Sequence, residues 1–221
     1  MVKVKICGIT NTEDAALAVS YGADLLGFVF VPGTPRYVEA DIVRSIVKDL
    51  SAGMDGSTGL VGLFRDQDPD VIEKVVKECG LGYVQLHGDE SPETCVELKK
   101  RIPEIRIMKV FKVRKGIMPC GVFGPEDYAE ADLYLFDTYH PELSGGTGRA
   151  FDWPSLKKSR AKLERPFFVA GGLDPMNVSE VVKALRPCGV DVSSGVESST
   201  GKKDKALMKE FIENARKHQT A

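Results

Sequence analysis

The stretch VKVKICGIT, residues 2–10, is typical of a short β-strand that ends in a cysteine and a glycine. Its apolar residues alternate with lysines, as in a strand with two different faces. Cys7 stands where the strand meets a loop, and Gly8 lets the backbone turn and a ligand approach. A thiol ionises near pH ~8.5, so a modest lowering of its pKa would make Cys7 a base or nucleophile. The alternative is a buried cysteine that serves only as a small hydrophobic residue.

The same alternation of strand and helix recurs along the whole chain of 221 residues. Apolar runs predict strands at residues 2–7, 25–30, 59–64, 83–90 (ending at His87 and Gly88), 105–113, 133–139 (ending at Asp137), 167–172 and 190–197 (the eighth strand with its loop). Helical spacing and capping residues predict helices at 11–21, 39–50, 69–79, from 92, at 125–131 (short), from 154, at 175–185 and at 205–217. Residues 51–58 have the composition of a surface loop, and residues 114–124 have an irregular pattern.

These repeating units predict an α/β fold, a single (β/α)₈ TIM barrel that occupies residues 1–221 as one domain. The length suits such a barrel, which has about 200–250 residues. A doubly wound open sheet is the alternative, and the absence of G-x-G-x-x-G after the first strand argues against it.

The charge and cysteine patterns narrow the class of protein. With 30 basic and 32 acidic residues, the formal net charge is −2, so we expect no nucleic-acid partner. We interpret the cluster of Lys202, Lys203 and Lys205 as a solvated helix start. No apolar run approaches the ~18 residues of a membrane span, and we expect no membrane association. The chain has an odd number of widely spaced cysteines: Cys7, Cys79, Cys95, Cys120 and Cys188. This pattern argues against a disulfide framework or a zinc site and for a reducing, cytoplasmic location.

Polar residues stand at the carboxyl ends of the predicted strands, which meet at one mouth in a (β/α)₈ barrel. Besides Cys7, they include Arg36, His87 and Asp137. Each has a purely structural alternative: a solvated arginine, a core histidine, a loop-capping aspartate. Convergence at one rim favours a functional site.

Two loops rich in small residues predict a phosphate site after the seventh and eighth strands. They are AGGLD (170–174) and VSSGVESSTG (192–201). Backbone N–H groups there can reach phosphate oxygens, and nearby helix termini favour an anion. The predicted phosphate-binding residues are Gly171, Gly172, Ser194 and Gly195. Tight turns alone would also explain the glycines.

The loop after the sixth strand contains GGTGR (145–149), which lacks the end of a nucleotide P-loop. A lid over the mouth suits it better; its predicted lid residues are Gly145, Gly146, Gly148 and Arg149. Cys7 and Asp137 approach the mouth from different sides and can act as base and acid. We find no metal-ligand cluster and no dinucleotide motif, so the residues favour a cofactor-free, proton-transfer isomerisation of a phosphorylated small molecule.

Seven motifs in register resemble the phosphoribosylanthranilate isomerase family of tryptophan biosynthesis. They are KICGIT (5–10), PRYV (35–38), VQLHGDE (84–90), LFDT (135–138), GGTGRAFDW (145–153), AGGLDPMNV (170–178) and GVDVSSGVE (189–197). Arg149 departs from the family pattern, in which lysine is common.

The resemblance implies an Amadori rearrangement of N-(5-phosphoribosyl)anthranilate without a cofactor or metal. It implies that Cys7 is the general base, Asp137 the general acid and Arg36 the ligand of the anthranilate carboxylate. Asp191 would orient ribose hydroxyls, and His87 would line the mouth. A histidine-pathway isomerase is one alternative, although we would expect it to use two aspartates; a non-catalytic sugar-phosphate sensor is another. We expect a monomer or a homodimer.

Overall fold

Eight parallel strands close into a barrel in chain order in the computed structural model, which describes residues 1–51, 57–113, 123–137 and 163–217. They are β1 (Lys3–Cys7), β2 (Leu25–Val29), β3 (Gly59–Phe64), β4 (Tyr83–Leu86), β5 (Arg106–Lys112), β6 (Leu133–Asp137), β7 (Phe167–Ala170) and β8 (Gly189–Val192). Pairing of β1 with β8 closes the circle. The predicted TIM barrel is confirmed, and the open-sheet alternative is wrong.

Helices cover the outside of the barrel. The described ones are α1 (Thr12–Ser20), α2 (Ala40–Ser51), α3 (Pro69–Cys79), α4 (Pro92–Arg101), α5 (Val178–Leu185) and α6 (Lys205–Arg216). Asn11 caps α1 by accepting from the Asp14 amide, and Gly80 ends α3 in the left-handed conformation.

Some predicted boundaries are wrong. The helix predicted from residue 175 begins at Val178, because the Asp174 side chain accepts from the amide groups of Met176 and Asn177 and holds a turn there. Residues 125–127 form only a 3₁₀ turn. The eighth strand, which we predicted within residues 190–197 together with its loop, covers Gly189–Val192. A short hairpin of β9 (Glu197–Ser199) and β10 (Lys202–Lys203) follows, which we did not predict.

Some expectations fall outside the described residues: the helix from 154, Cys120, and most of the segments 51–58 and 114–124. In the described parts of the chain, no helix has both the length and the apolar composition needed to span a bilayer.

Side chains alternate between two apolar layers. One layer fills the barrel interior and includes Leu25, Val61, Met108, Leu135 and Phe168. The other packs the outer faces of the strands against the helices. Strands buried on both faces explain why the sequence shows continuous apolar runs rather than alternation.

A buried ion pair shapes the loop that follows β4. Lys109 Nζ lies 2.6 Å from Glu90 Oε2 and also donates to the Gly88 carbonyl. Glu90 accepts from the amide groups of Asp66 and Gly88, and Tyr128 donates to the Glu90 carbonyl. Both charged side chains are almost fully buried. This network fixes the loop where the strand leaves the sheet.

Replacing Lys109 by methionine is expected to lower the free energy of unfolding by about 3–5 kcal/mol, because it leaves Glu90 buried without its counter-ion. Urea denaturation followed by circular dichroism measures this change. The exposed Lys74→Met variant is the control and is expected to unfold like the wild type. Equal stability of the two variants would show that the buried pair contributes nothing.

Candidate active site

A cavity of about 230 Å³ opens at the carboxyl ends of the strands. The structure brings together in its lining every predicted site residue that it describes: Cys7, Arg36, His87, Asp137, Gly171, Gly172, Asp191, Ser194 and Gly195. The predicted lid residues Gly145, Gly146, Gly148 and Arg149 lie outside the described residues.

Cys7 ends β1 and points into the barrel, where it is 5% exposed. Lys5, two residues earlier on the same strand face, is fully buried, and its Nζ and Cys7 Sγ both lie beside Gly27. Its Nζ also lies 3.0 Å from Asp191 Oδ1. Burial raises the pKa of the Cys7 thiol, and the Lys5 ammonium opposes that rise because it favours the thiolate.

On the other side of the cavity, Asp137 ends β6 and meets His87. The distance from His87 Nε2 to Asp137 Oδ2 is 3.2 Å. Gln85, which is buried on β4, places its Nε2 3.2 Å from His87 Nδ1. The two contacts place His87 between Gln85 and Asp137, so the histidine orients the carboxyl group.

Arg36 follows β2 and is clamped by a carboxylate from the β9–β10 hairpin. Its Nε and Nη2 donate to the two Glu197 oxygens at 2.8 and 2.6 Å. Although burial acts to raise the pKa of Glu197, hydrogen bonds from Arg36 and Lys203 hold it below its ordinary value. The clamp occupies one edge of the guanidinium and leaves the Nη1 edge for a second planar anion.

Lys203 is the second cation on Glu197. Its Nζ lies 2.9 Å from Glu197 Oε1 and donates to the carbonyl groups of Cys7 at 2.6 Å and Ser193 at 3.2 Å. The side chain is fully buried. Our interpretation of this lysine as part of a solvated helix start is therefore wrong.

Gly8 allows Arg36 to cross the end of β1. Its φ of +75° is unfavourable for other residues, and an added Cβ would lie 2.6 Å from Arg36 Cδ. Position 8 thus requires glycine for both its backbone angle and the space above it. The sharp turn after Cys7 that the sequence predicts is confirmed.

The loops after β7 and β8 contact each other at the cavity. A Cβ on Gly195 would lie 1.8 Å from the Leu173 carbonyl oxygen, so only glycine fits there. Gly171 and Gly172 both have positive φ, and Ser194 begins a 3₁₀ turn. This arrangement supplies a concave backbone surface.

Among the described residues of the cavity lining, Arg36 is the one cationic side chain. Two buried polar atoms at the cavity, Gln85 Oε1 and Ser193 Oγ, have no hydrogen-bond partner in the described parts of the chain. A polar ligand would supply such partners, because buried polar atoms are seldom left unpaired.

Sequence reasoning missed four residues that support the site: Lys5, Gln85, Glu197 and Lys203. A period of two places Lys5 on the Cys7 face and Gln85 on the His87 face, so that signal was available. Glu197 and Lys203 are harder to find, because the contacts that link them to Arg36 and Cys7 span more than 150 positions.

Comparison with known proteins gives consistent results across sequence and structure. The family model described as N-(5'phosphoribosyl)anthranilate (PRA) isomerase matches residues 4–214. A relative from Geobacter sp. (strain M21) named N-(5'-phosphoribosyl)anthranilate isomerase is 43% identical over 98% of this chain and 99% of its own.

Two solved structures have the same architecture. Phosphoribosyl anthranilate isomerase from Thermotoga maritima has a TM-score of 0.84 and 38% identity, covering 98% of this chain and 100% of that one. Another structure of the enzyme, in complex with reduced 1-(o-carboxyphenylamino)-1-deoxyribulose 5-phosphate, has a TM-score of 0.81 and 36% identity over the same shares. The chain therefore belongs to the N-(5'-phosphoribosyl)anthranilate isomerase family.

Proposed function

We propose that this protein converts N-(5-phosphoribosyl)anthranilate to 1-(2-carboxyphenylamino)-1-deoxyribulose 5-phosphate in tryptophan biosynthesis. The observation that carries the proposal is the placement of Cys7 and Asp137 on opposite sides of one cavity that Arg36 and the glycine-rich loops after β7 and β8 also line. The family membership supports it, as does the relative crystallised with a reduced form of this product.

In the proposed reaction, Asp137 protonates the ribose ring oxygen and the ring opens to a Schiff base. The Cys7 thiolate then removes the C2′ proton, which gives an enolamine that tautomerises to the ketone. One group donates a proton and the other accepts one, so the net charge of the enzyme is unchanged and proton exchange with solvent restores the two starting protonation states. His87 keeps the Asp137 carboxyl group aimed into the cavity.

The two ends of the substrate would be held by different means. The free edge of Arg36 suits the anthranilate carboxylate, because a guanidinium binds a carboxylate through two parallel hydrogen bonds. Backbone N–H groups near Gly171, Gly172, Ser194 and Gly195 suit the phosphate. Asp191 lines the cavity between them and would accept from ribose hydroxyls.

We further propose that residues 1–221 act as one barrel domain in the cytoplasm. Four described cysteines are free thiols, which supports a reducing compartment; they are Cys7, Cys79, Cys95 and Cys188.

Removing either proton-transfer group is expected to lower kcat by at least ~10²-fold, the range of general acid–base contributions. The variants are Cys7→Ala and Asp137→Asn. The measurement is the decay of anthranilate fluorescence with the substrate generated in situ. Cys188→Ala, at the opposite end of the barrel, is the matched cysteine control and should turn over normally. Wild-type turnover in Cys7→Ala would exclude Cys7 as the base.

The same assay separates the alternatives. A sensor would bind a product analogue without any fluorescence decay in the wild type. A histidine-pathway isomerase would act on the phosphoribosyl amine of that pathway and leave phosphoribosylanthranilate unchanged.

Replacing Arg36 by methionine is expected to raise KM about 10–100-fold, since a hydrogen bond to a charged group contributes ~1.5–3 kcal/mol. The kcat value should change less, because the anthranilate carboxylate does not react. Glu197 keeps Lys203 as a counter-ion, so the variant should fold. Steady-state kinetics test this, with the exposed Arg44→Met as control. An unchanged KM would place the carboxylate elsewhere.

A further inference from the structure

The interior of the barrel holds a lysine that the proposed reaction does not use. Lys5 is fully buried, which is rare for lysine unless its charge is paired. It precedes Cys7 by two residues on β1, so both side chains point to the same face. That face is the barrel interior beneath the cavity.

Asp191 keeps Lys5 charged. Register pairing of β1 with β8 sets the two residues directly opposite each other, and Lys5 Nζ lies 3.0 Å from Asp191 Oδ1. An ammonium group has three protons to donate. The contact with Asp191 uses one, and the positive charge of the group also favours the Cys7 thiolate.

A glycine on the neighbouring strand provides the space for the Lys5 and Cys7 side chains. Gly27 pairs with Cys7 in the β1–β2 register. A Cβ added to Gly27 would lie 2.9 Å from both Cys7 Sγ and Lys5 Nζ. Sulfur and nitrogen therefore share the volume that any larger residue would fill.

Four charged groups face Cys7, and they are not equivalent. Lys203 on β10 directs its Nζ to two carbonyl oxygens and Glu197, which accounts for its three protons. Arg36, after β2, is engaged by Glu197. Asp191 on β8 is an anion and disfavours a thiolate. Lys5 is the cation whose nitrogen lies with the sulfur in the space beside Gly27.

We propose that Lys5 is the counter-ion of the Cys7 thiolate, positioned by Asp191 and Gly27. The inference rests on the proposed function in taking Cys7 as the base. Because Cys7 is almost fully buried, an unpaired thiolate there would be unfavourable, and a fixed ammonium group beside it favours ionisation of the thiol. Lys5 is a positioning residue, because it would affect the reaction through Cys7 and not by contacting the substrate.

The test is the pH dependence of Cys7 alkylation by iodoacetamide, followed by mass spectrometry of the Cys7 peptide. Only the thiolate reacts, so the midpoint of the rate reports the ionisation of Cys7. Lys5→Met is expected to raise this midpoint by about 1–3 pH units, the usual effect of an opposite charge nearby. Lys3→Met, an exposed position on the same strand, is the matched control and should not shift it. An unchanged midpoint in folded Lys5→Met overturns the proposal.

Because Lys5→Met leaves Asp191 buried and unpaired, a second comparison protects the test against misfolding. The double variant Lys5→Met/Asp191→Asn removes both charges, and its reference is Asp191→Asn alone. We expect a higher midpoint in the double variant than in its reference. Equal midpoints would assign the lysine a purely structural role.

Turnover gives an independent readout. In Lys5→Met, kcat should fall at neutral pH and recover as the pH rises, which a merely unstable variant would not do. Alkylation needs no substrate, so the two proposals can fail separately. A midpoint shift without wild-type turnover of phosphoribosylanthranilate would leave the counter-ion standing and refute the proposed function. Normal wild-type turnover without a midpoint shift in Lys5→Met would support the proposed function and refute the counter-ion.

Discussion

The site depends most on the hydrogen bonds that the buried ammonium group of Lys203 donates. It joins the carbonyl of Cys7 at the end of β1, the carbonyl of Ser193 after β8 and the carboxylate that clamps Arg36. Burial lowers the pKa of Lys203, and Glu197 opposes that effect by favouring the charged form. The Lys203 amide also donates to Asp14 at the start of α1. This hydrogen bond connects the last strand–helix unit of the barrel to the first.

Local patterns in the sequence were sufficient for the barrel and for the residues at its mouth. Strands buried on both faces appear as apolar runs, and a polar residue at the end of such a run is conspicuous. This is why Cys7, His87 and Asp137 could be located from the amino-acid pattern alone. The α5 boundary was missed because the Asp174 side chain competes with the helix for backbone amide groups, a choice that spacing does not reveal.

The supporting charges could not be located in the same way. Lys5 pairs with a residue 186 positions away, and Arg36 with one 161 positions away. Only closure of the barrel makes such residues neighbours. Lys203 was misjudged for a related reason: lysine is usually exposed, and one acceptor of its buried ammonium group, the Cys7 carbonyl, lies 196 positions away. The type of a residue predicts its usual environment, whereas this site contains residues in unusual environments.

The two proposed proton-transfer groups occupy contrasting environments. Cys7 is almost fully buried beside cations, whereas the Asp137 side chain is about one-fifth exposed and meets His87. A thiol needs a nearby positive charge to become a base in a dry site, and a carboxyl group that must donate a proton is better without one. Lys5, Lys203 and Arg36 supply that charge from β1, the β9–β10 hairpin and the segment after β2, whereas Asp137 meets His87. In the proposed function, these contrasting surroundings let one cavity hold an acid and a base together, while Arg36 and the backbone loops select the molecule that lies between them.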